Sequence, residues 1–288
     1  MEVFKLRNGQ NMPAIGCGTV NFGREGGKYE NPLTDDFSAV TTAVEAGYRL
    51  FDTALAYGNE EGIGAAIAAS GIRREELFLS SKVPNKEPYN LTVKSVRESV
   101  EESLRRMRTD YFDMMLIHHA VPVKVELAGG TMDVECVCMI WDTLIELMRE
   151  GKLRGIGVSN FNAEQLKKLL DNTTVVPLVD QIRCNPASPN RETIAFCKQH
   201  GILPEAHSPL NFTRERGMRY IDPAYMARLE ALGEKYGKSW AQILLRYNYQ
   251  DGLVSIPGSA KLSHQKSNLE IFDFALTDEE MLTLQVNE

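Results

Sequence analysis

The chain has 288 residues, 43% of them hydrophobic, enough for one large domain or two small ones, and a barrel can take all of it. A formal net charge of −7 argues against nucleic acid as the main partner. No basic start followed by an apolar h-region occurs, and no apolar run approaches about 18 residues, so neither secretion nor membrane spanning is expected.

In chain order, the opening "FKLRNGQNMP" carries an Asn8-Gly9 turn between short flanks and predicts a hairpin. Apolar runs of strand length then follow: "MPAIGCGT", "YRLFDTA", "LFLSSKV", "FDMMLIHH", "GIGVSN", "LVDQIRC", "ILPEAHS" and "LVSIPGS", eight in all. The stretches between them have helical periodicity. Phe37, Val40 and Val44 recur at spacings of three and four, as do Val93, Val96, Val100, Leu104 and Met107, and then Ile140, Leu144 and Leu147. Glycines in "EAGYR", "REGKLRGIGV" and "KQHGILP" fall where C-terminal caps belong.

Strands that are continuously apolar and alternate with helices imply a parallel sheet covered by helices. Eight such units predict an α/β fold of the (β/α)8 TIM-barrel type, a single domain over residues 1–288 preceded by the hairpin. An open doubly wound sheet is the competitor. Its dinucleotide fingerprint is missing, because the glycines of "GCGTVNFG" stand at 16, 18 and 23, one too widely spaced, and no helical pattern opens there.

Active sites of such barrels gather at the C-terminal ends of the strands, so the polar residues ending each run matter. They are Thr19, Asp52, Lys82, His118, Ser159-Asn160, Gln181, His207-Ser208 and Gly258-Ser259, with Tyr57 five residues beyond Asp52. Singly each has a structural reading; Asp52, for instance, could cap the next helix. Together they put an acid, a base, an imidazole and a phenol at one mouth. That set suits proton delivery to a carbonyl oxygen. A free phenol holds its proton too tightly near neutrality, and an ammonium such as Lys82 is expected to lower its pKa. Asp52 would keep the lysine charged, and His118 could orient the carbonyl. No nucleophile is left over, so the electrons must come from a cofactor.

The chain resembles the aldo-keto reductase superfamily over nearly its whole length, through "GYRLFDTALAYGNEE", "ELFLSSKV", "DYFDMMLIHH", "GKLRGIGVSNF", "VDQIRCNP", "EAHSPL" and "SIPGS". The resemblance implies a catalytic tetrad of Asp52, Tyr57, Lys82 and His118, with Tyr57 as general acid. It also implies that Ser159, Asn160 and Gln181 hold a nicotinamide carboxamide, and that Gly18, Thr19, Ser208 and Leu210 lie along the cofactor.

Three departures from the family pattern bear on the cofactor and the pocket. His207 stands where an aromatic usually stacks on the nicotinamide. Gly258 and His264 stand where a Lys and an Arg usually grip the 2'-phosphate, and the adenine-contacting Glu-Asn pair reads Ser267-Asn268. The chain stops soon after "DEEMLTLQVNE", so an open pocket is expected, walled mainly by residues 120–137 and 209–222.

The resulting expectation is an NAD(P)H-dependent carbonyl reductase acting on a small-molecule aldehyde or ketone. NADP(H) is expected over NAD(H), with Ser259, Lys261, Lys266 and the start of the helix at "KLSHQ" as the phosphate partners. A cofactor-binding regulatory subunit and a Schiff-base aldolase using Lys82 compete; the second leaves "GVSNF" and "VDQ" unexplained. Five scattered cysteines suit reduced thiols and a cytoplasmic location, and Cys136 and Cys138 lack a second pair at metal-ligand spacing. A monomer or weak homodimer is expected.

Overall fold

The structure, a computed structural model, describes residues 2–210 and 223–286. Strands β1 (Val3–Lys5) and β2 (Asn11–Pro13) form the expected antiparallel hairpin around Asn8-Gly9. The strands β3 (Cys17–Gly18), β4 (Leu50–Asp52), β5 (Phe78–Val83), β6 (Met114–Ile117), β7 (Ile156–Ser159), β8 (Val179–Arg183), β9 (Leu203–His207) and β10 (Val254–Ile256) follow. These eight pair in parallel, each with its neighbour in sequence. The ring closes where Gly16 N–H donates to Ser255 O at 2.9 Å and Ser255 N–H to Ala14 O at 3.1 Å. The first apolar run is therefore divided: Met12 and Pro13 complete the hairpin, and the chain joins the barrel from Ala14 onward.

Around the ring lie α1 (Ser38–Ala46), α2 (Glu60–Ala69), α3 (Val93–Met107), α4 (Val123–Leu127), α5 (Val134–Arg149), α6 (Ala163–Leu170), α7 (Arg191–Gln199), α8 (Pro223–Tyr236), α9 (Trp240–Gln250), α10 (Leu262–Leu269) and α11 (Asp278–Leu284). The three helices expected from periodicity are α1, α3 and α5. Helix α3 starts in a capping box, Thr92 with Ser95, and α1 stops at Gly47, whose φ of +111° a side chain would strain. Among the described residues no helix is long and apolar enough to cross a membrane.

The two-residue period of a strand sorts side chains to opposite faces. Phe51, Leu79, Met115 and Val158 point outward into the helices, meeting Val40, Ile63, Val96 and Trp141. Leu50, Phe78, Met114, Leu116 and Val179 point inward and pack with Leu6 and Met12 of the hairpin, which plugs the N-terminal end of the barrel. Further along the same inward faces the interior turns polar, with Asp52, Lys82, Gln181 and Glu205 all buried.

Candidate active site

Asp52 caps no helix; α2 begins after Asn59. Asn59 itself bridges two segments, its amide donating to Thr19 O at 2.8 Å and Phe22 O at 3.1 Å. That ties the loop after β3 to the short turn Leu55–Tyr57. The Asp52 carboxylate instead receives Lys82, whose Nζ donates to Oδ1 at 2.7 Å, to Oδ2 at 2.6 Å and to Thr53 O at 2.9 Å. The Tyr57 hydroxyl stands fourth, at 3.4 Å from the same nitrogen. An ammonium has three protons, so the phenol is the long, shared contact of an otherwise saturated cation.

Asp52 is 3% exposed and Lys82 1%, which makes this a buried ion pair. Burial alone would lower the Lys82 ammonium, but Asp52, Tyr57 and Glu205 together hold it above its ordinary value. For Tyr57 the balance runs against the sequence-based expectation. Burial pushes the phenol up; Lys82 pulls it down, Asp52 opposes Lys82, and the net direction is upward. The ammonium lowers the phenol relative to a site without it, yet does not bring it below that of a free tyrosine. Desolvation decides this, and no residue spacing encodes it.

His118 follows β6, and its ring stands edge-on to Tyr57 with centroids 5.6 Å apart, while its other face stacks on His119 at 4.6 Å. Burial, then Lys82, hold His118 well below the ordinary imidazole range, so it is neutral at neutral pH. Asn160, at a left-handed φ of +59° after β7, links three strand ends. Its amide donates to His118 O at 2.9 Å and to Ser159 Oγ at 3.0 Å, which turns Oδ1 toward His207 Nε2, 3.0 Å away. Oδ1 can only accept, so His207 carries its proton on Nε2. Burial and then Lys82 depress His207 to about 3, so Nδ1 is bare and accepts from Ser208 Oγ at 3.3 Å.

Gln181 is oriented from below. Its Nε2 donates to Asp52 Oδ1 at 2.8 Å and to Glu205 Oε2 at 2.9 Å, committing both amide protons to carboxyl oxygens. The amide cannot be turned around without facing its carbonyl to those oxygens, so Oε1 is the atom left for an incoming group.

A buried lysine saturated by an aspartate, with a phenol and a neutral imidazole at the same mouth of the barrel, is an arrangement able to deliver a proton to a carbonyl oxygen. The aldo/keto reductase family model matches residues 14–286. The chain belongs to the aldo/keto reductase family. It is 38% identical over 281 residues to the glyoxal reductase of Bacillus subtilis strain 168, covering 97% of this chain and 90% of that protein. Methylglyoxal reductase DkgA of Escherichia coli O157:H7 is 35% identical over 279 residues, with the same coverage. Among solved structures, the Bombyx mori aldo-keto reductase in complex with NADP superimposes with a TM-score of 0.85 at 34% identity, covering 98% of this chain and 91% of that one.

The remaining residues expected along a cofactor in this aldo/keto reductase run from the barrel rim to its outer wall. Thr19 is buried, its hydroxyl donating to Asp52 O at 2.8 Å. Ser208 has a φ of +52°, its carbonyl accepting from Asn185 at 3.1 Å, and Leu210 is partly buried near Tyr225. Ser259 Oγ accepts from Lys261 N–H at 3.2 Å. Helix α10 starts after Lys261 with no side chain capping its first turn, and Lys261, His264 and Lys266 are exposed there. Asn268, on the same helix, is buried and meets the Tyr48 hydroxyl.

Gly258 shows why this chain has no lysine at that position. A Cβ there would lie 2.7 Å from Gly18 O, a backbone atom, at the seam where the barrel closes. Gly258→Ala is therefore expected to cost about 1–3 kcal/mol through forced backbone shift, read as a lower urea midpoint with an unchanged slope.

Of the two expected pocket walls, residues 211–222 lie outside the described residues; the other carries α4 and the start of α5. Two contributions escaped the sequence reading. Glu205 was signalled only as an acid two places before His207 in an apolar strand, hence on its face. Arg24 and Tyr29, in the loop after β3, carried no signal: Arg24 donates to Tyr57 O at 2.5 Å, and the Tyr29 ring stands edge-on to Tyr57 at 6.2 Å.

Proposed function

We propose that this aldo/keto reductase reduces an aldehyde or ketone to the alcohol using NAD(P)H, with Asp52, Tyr57, Lys82 and His118 as the catalytic residues. The observation that carries this reading is the Lys82 ammonium, locked by Asp52 and in contact with the Tyr57 hydroxyl at 3.4 Å. A bound reduced nicotinamide supplies the hydride to the carbonyl carbon. Tyr57 O–H donates its proton to the carbonyl oxygen, and the phenolate left behind faces Lys82, whose charge stabilises it. Because burial pushes the phenol up, the proton is fully present on Tyr57 at neutral pH. His118, neutral and beside Tyr57, orients the carbonyl without adding a second cation near Lys82.

The residues present fit a nicotinamide carboxamide. Gln181 Oε1 is free to accept its N–H, and the Asn160 amide and the His207 ring form the adjoining edge. At the other end, the uncapped start of α10 beside Lys261 fits a phosphate, with Lys266 further along in the last turn of the same helix. NADP(H) is accordingly preferred over NAD(H), with Lys261 as the main cation and a weak preference, since Gly258 and His264 bring no strong partner. Small dicarbonyl compounds are the first substrates to try, because a glyoxal reductase and a methylglyoxal reductase are among the relatives. Free thiols at all five cysteines suit action in the cytoplasm.

A panel of aldehydes, ketones and dicarbonyls assayed with NADPH and NADH tests the reading, and oxidation of neither cofactor with any of them would defeat it. Lys261→Ala is expected to weaken NADP+ binding relative to NAD+ by about tenfold, given roughly 1–3 kcal/mol per charged contact. Calorimetric titration with both cofactors measures this without turnover, and an unchanged ratio would remove Lys261 from the phosphate site.

A further inference from the structure

Beneath the proposed tetrad lies a second carboxyl group that the reaction scheme does not use. Glu205 is 0% exposed in the middle of β9. It pairs in register with Gln181, whose amide joins it to Asp52, so Glu205, Gln181, Asp52 and Lys82 form one hydrogen-bonded chain across the barrel. Its other oxygen, Oε1, has no hydrogen-bond partner among the described residues. A carboxylate with one oxygen unpaired in a dry interior is costly, whereas a carboxylic acid is neutral and tolerable there.

The groups facing it are few. Asp52 comes from β4, Lys82 from β5 and Gln181 from β8; on β10 its register partner is Val254, uncharged. Burial and then Asp52 raise Glu205 to about 8, with Gln181 and Lys82 opposing. Glu205 in turn acts on Lys82, helping to hold its proton.

We propose that Glu205 is a positioning residue that sets the acidity of Tyr57, acting on Lys82 through the hydrogen-bonded chain of Gln181 and Asp52. The proposal rests on the carbonyl-reductase reading of this site and adds a control to it. The sign follows from electrostatics. A further negative charge near Lys82 cancels part of the field that favours the phenolate, so Tyr57 keeps its proton to higher pH. Proton donation to the carbonyl is thereby protected in alkali, and the reverse reaction, which needs the phenolate, is held back over the same range. Gln181 makes the effect structural as well as electrostatic, because its amide is held between the two carboxyl groups.

The test is Glu205→Gln, which keeps the volume and removes the ionisation. The alkaline limb of kcat/KM for carbonyl reduction is expected to move down by about one pH unit relative to the wild type. An alkaline limb that stays in place in a folded variant overturns the proposal. A second measurement needs no turnover: infrared spectra of the wild type should show a protonated-carboxyl stretch that disappears in mild alkali and is missing from Glu205→Gln. If every carboxyl that titrates in that range persists in the variant, Glu205 is not the group and the proposal falls. Should the wild type reduce no carbonyl compound while the infrared band behaves as described, the ionisation of Glu205 stands, and it is the reductase reading that fails.

Discussion

Tyr57→Phe is expected to lower kcat for carbonyl reduction by about 100- to 10,000-fold, the usual range for a lost general acid, while cofactor affinity stays close to that of the wild type. Among the described residues the Tyr57 hydroxyl has Lys82 as its one hydrogen-bond partner, at 3.4 Å, and the ring keeps its edge-on packing against His118 and Tyr29 without it. The groups proposed to hold the cofactor, Gln181, Asn160 and His207, are held by partners other than Tyr57. Steady-state rates followed by nicotinamide absorbance, beside a calorimetric cofactor titration, separate the two effects. A variant retaining more than about a third of wild-type kcat would take Tyr57 out of the role, since general acids contribute far more than that.

Lys82→Met is expected to be at least as damaging to turnover and, unlike the tyrosine change, to destabilise the fold by about 3–5 kcal/mol, the cost of leaving a buried charge without its partner. Three Lys82 hydrogen bonds, two to Asp52 and one to Thr53 O, disappear at once, and among the described residues only the Gln181 amide remains on the Asp52 carboxylate. The chemistry suffers for a separate reason. Lys82 is the cation that opposes burial and Asp52 at Tyr57, so without it every remaining influence pushes the phenol further up. Urea unfolding and a pH–rate profile examine the two consequences independently. A profile identical to the wild type would show that Lys82 does not tune Tyr57, and an unchanged unfolding midpoint would show that Asp52 is satisfied some other way.

Much of this was legible in the chain before any coordinates. Strands with an apolar run and a polar last residue can be read one at a time, because a strand's two-residue period and a parallel barrel's common direction bring every such residue to one mouth. Leu50, Phe51 and Asp52 are enough to say in, out and in, and the structure places Lys82, Gln181 and His207 by the same rule. The hairpin at Asn8-Gly9, the glycine after α1 and the capping residues of α3 are likewise local, decided by backbone sterics and by hydrogen bonds within a few residues.

What the sequence by itself determined, then, was which elements form and which residues share the mouth. Tertiary structure alone decided how those residues act on one another. Gln181 and Asp52 are 129 positions apart, and nothing in either segment says that one amide spans Asp52 and Glu205. The upward shift of Tyr57 comes from water excluded by the whole enclosing wall, and the bar to a side chain at Gly258 comes from the carbonyl of Gly18 across the closing seam. Periodicity and capping are properties of neighbours along the chain, whereas desolvation, Coulomb interaction and steric exclusion depend on distances through space that only the closed barrel sets.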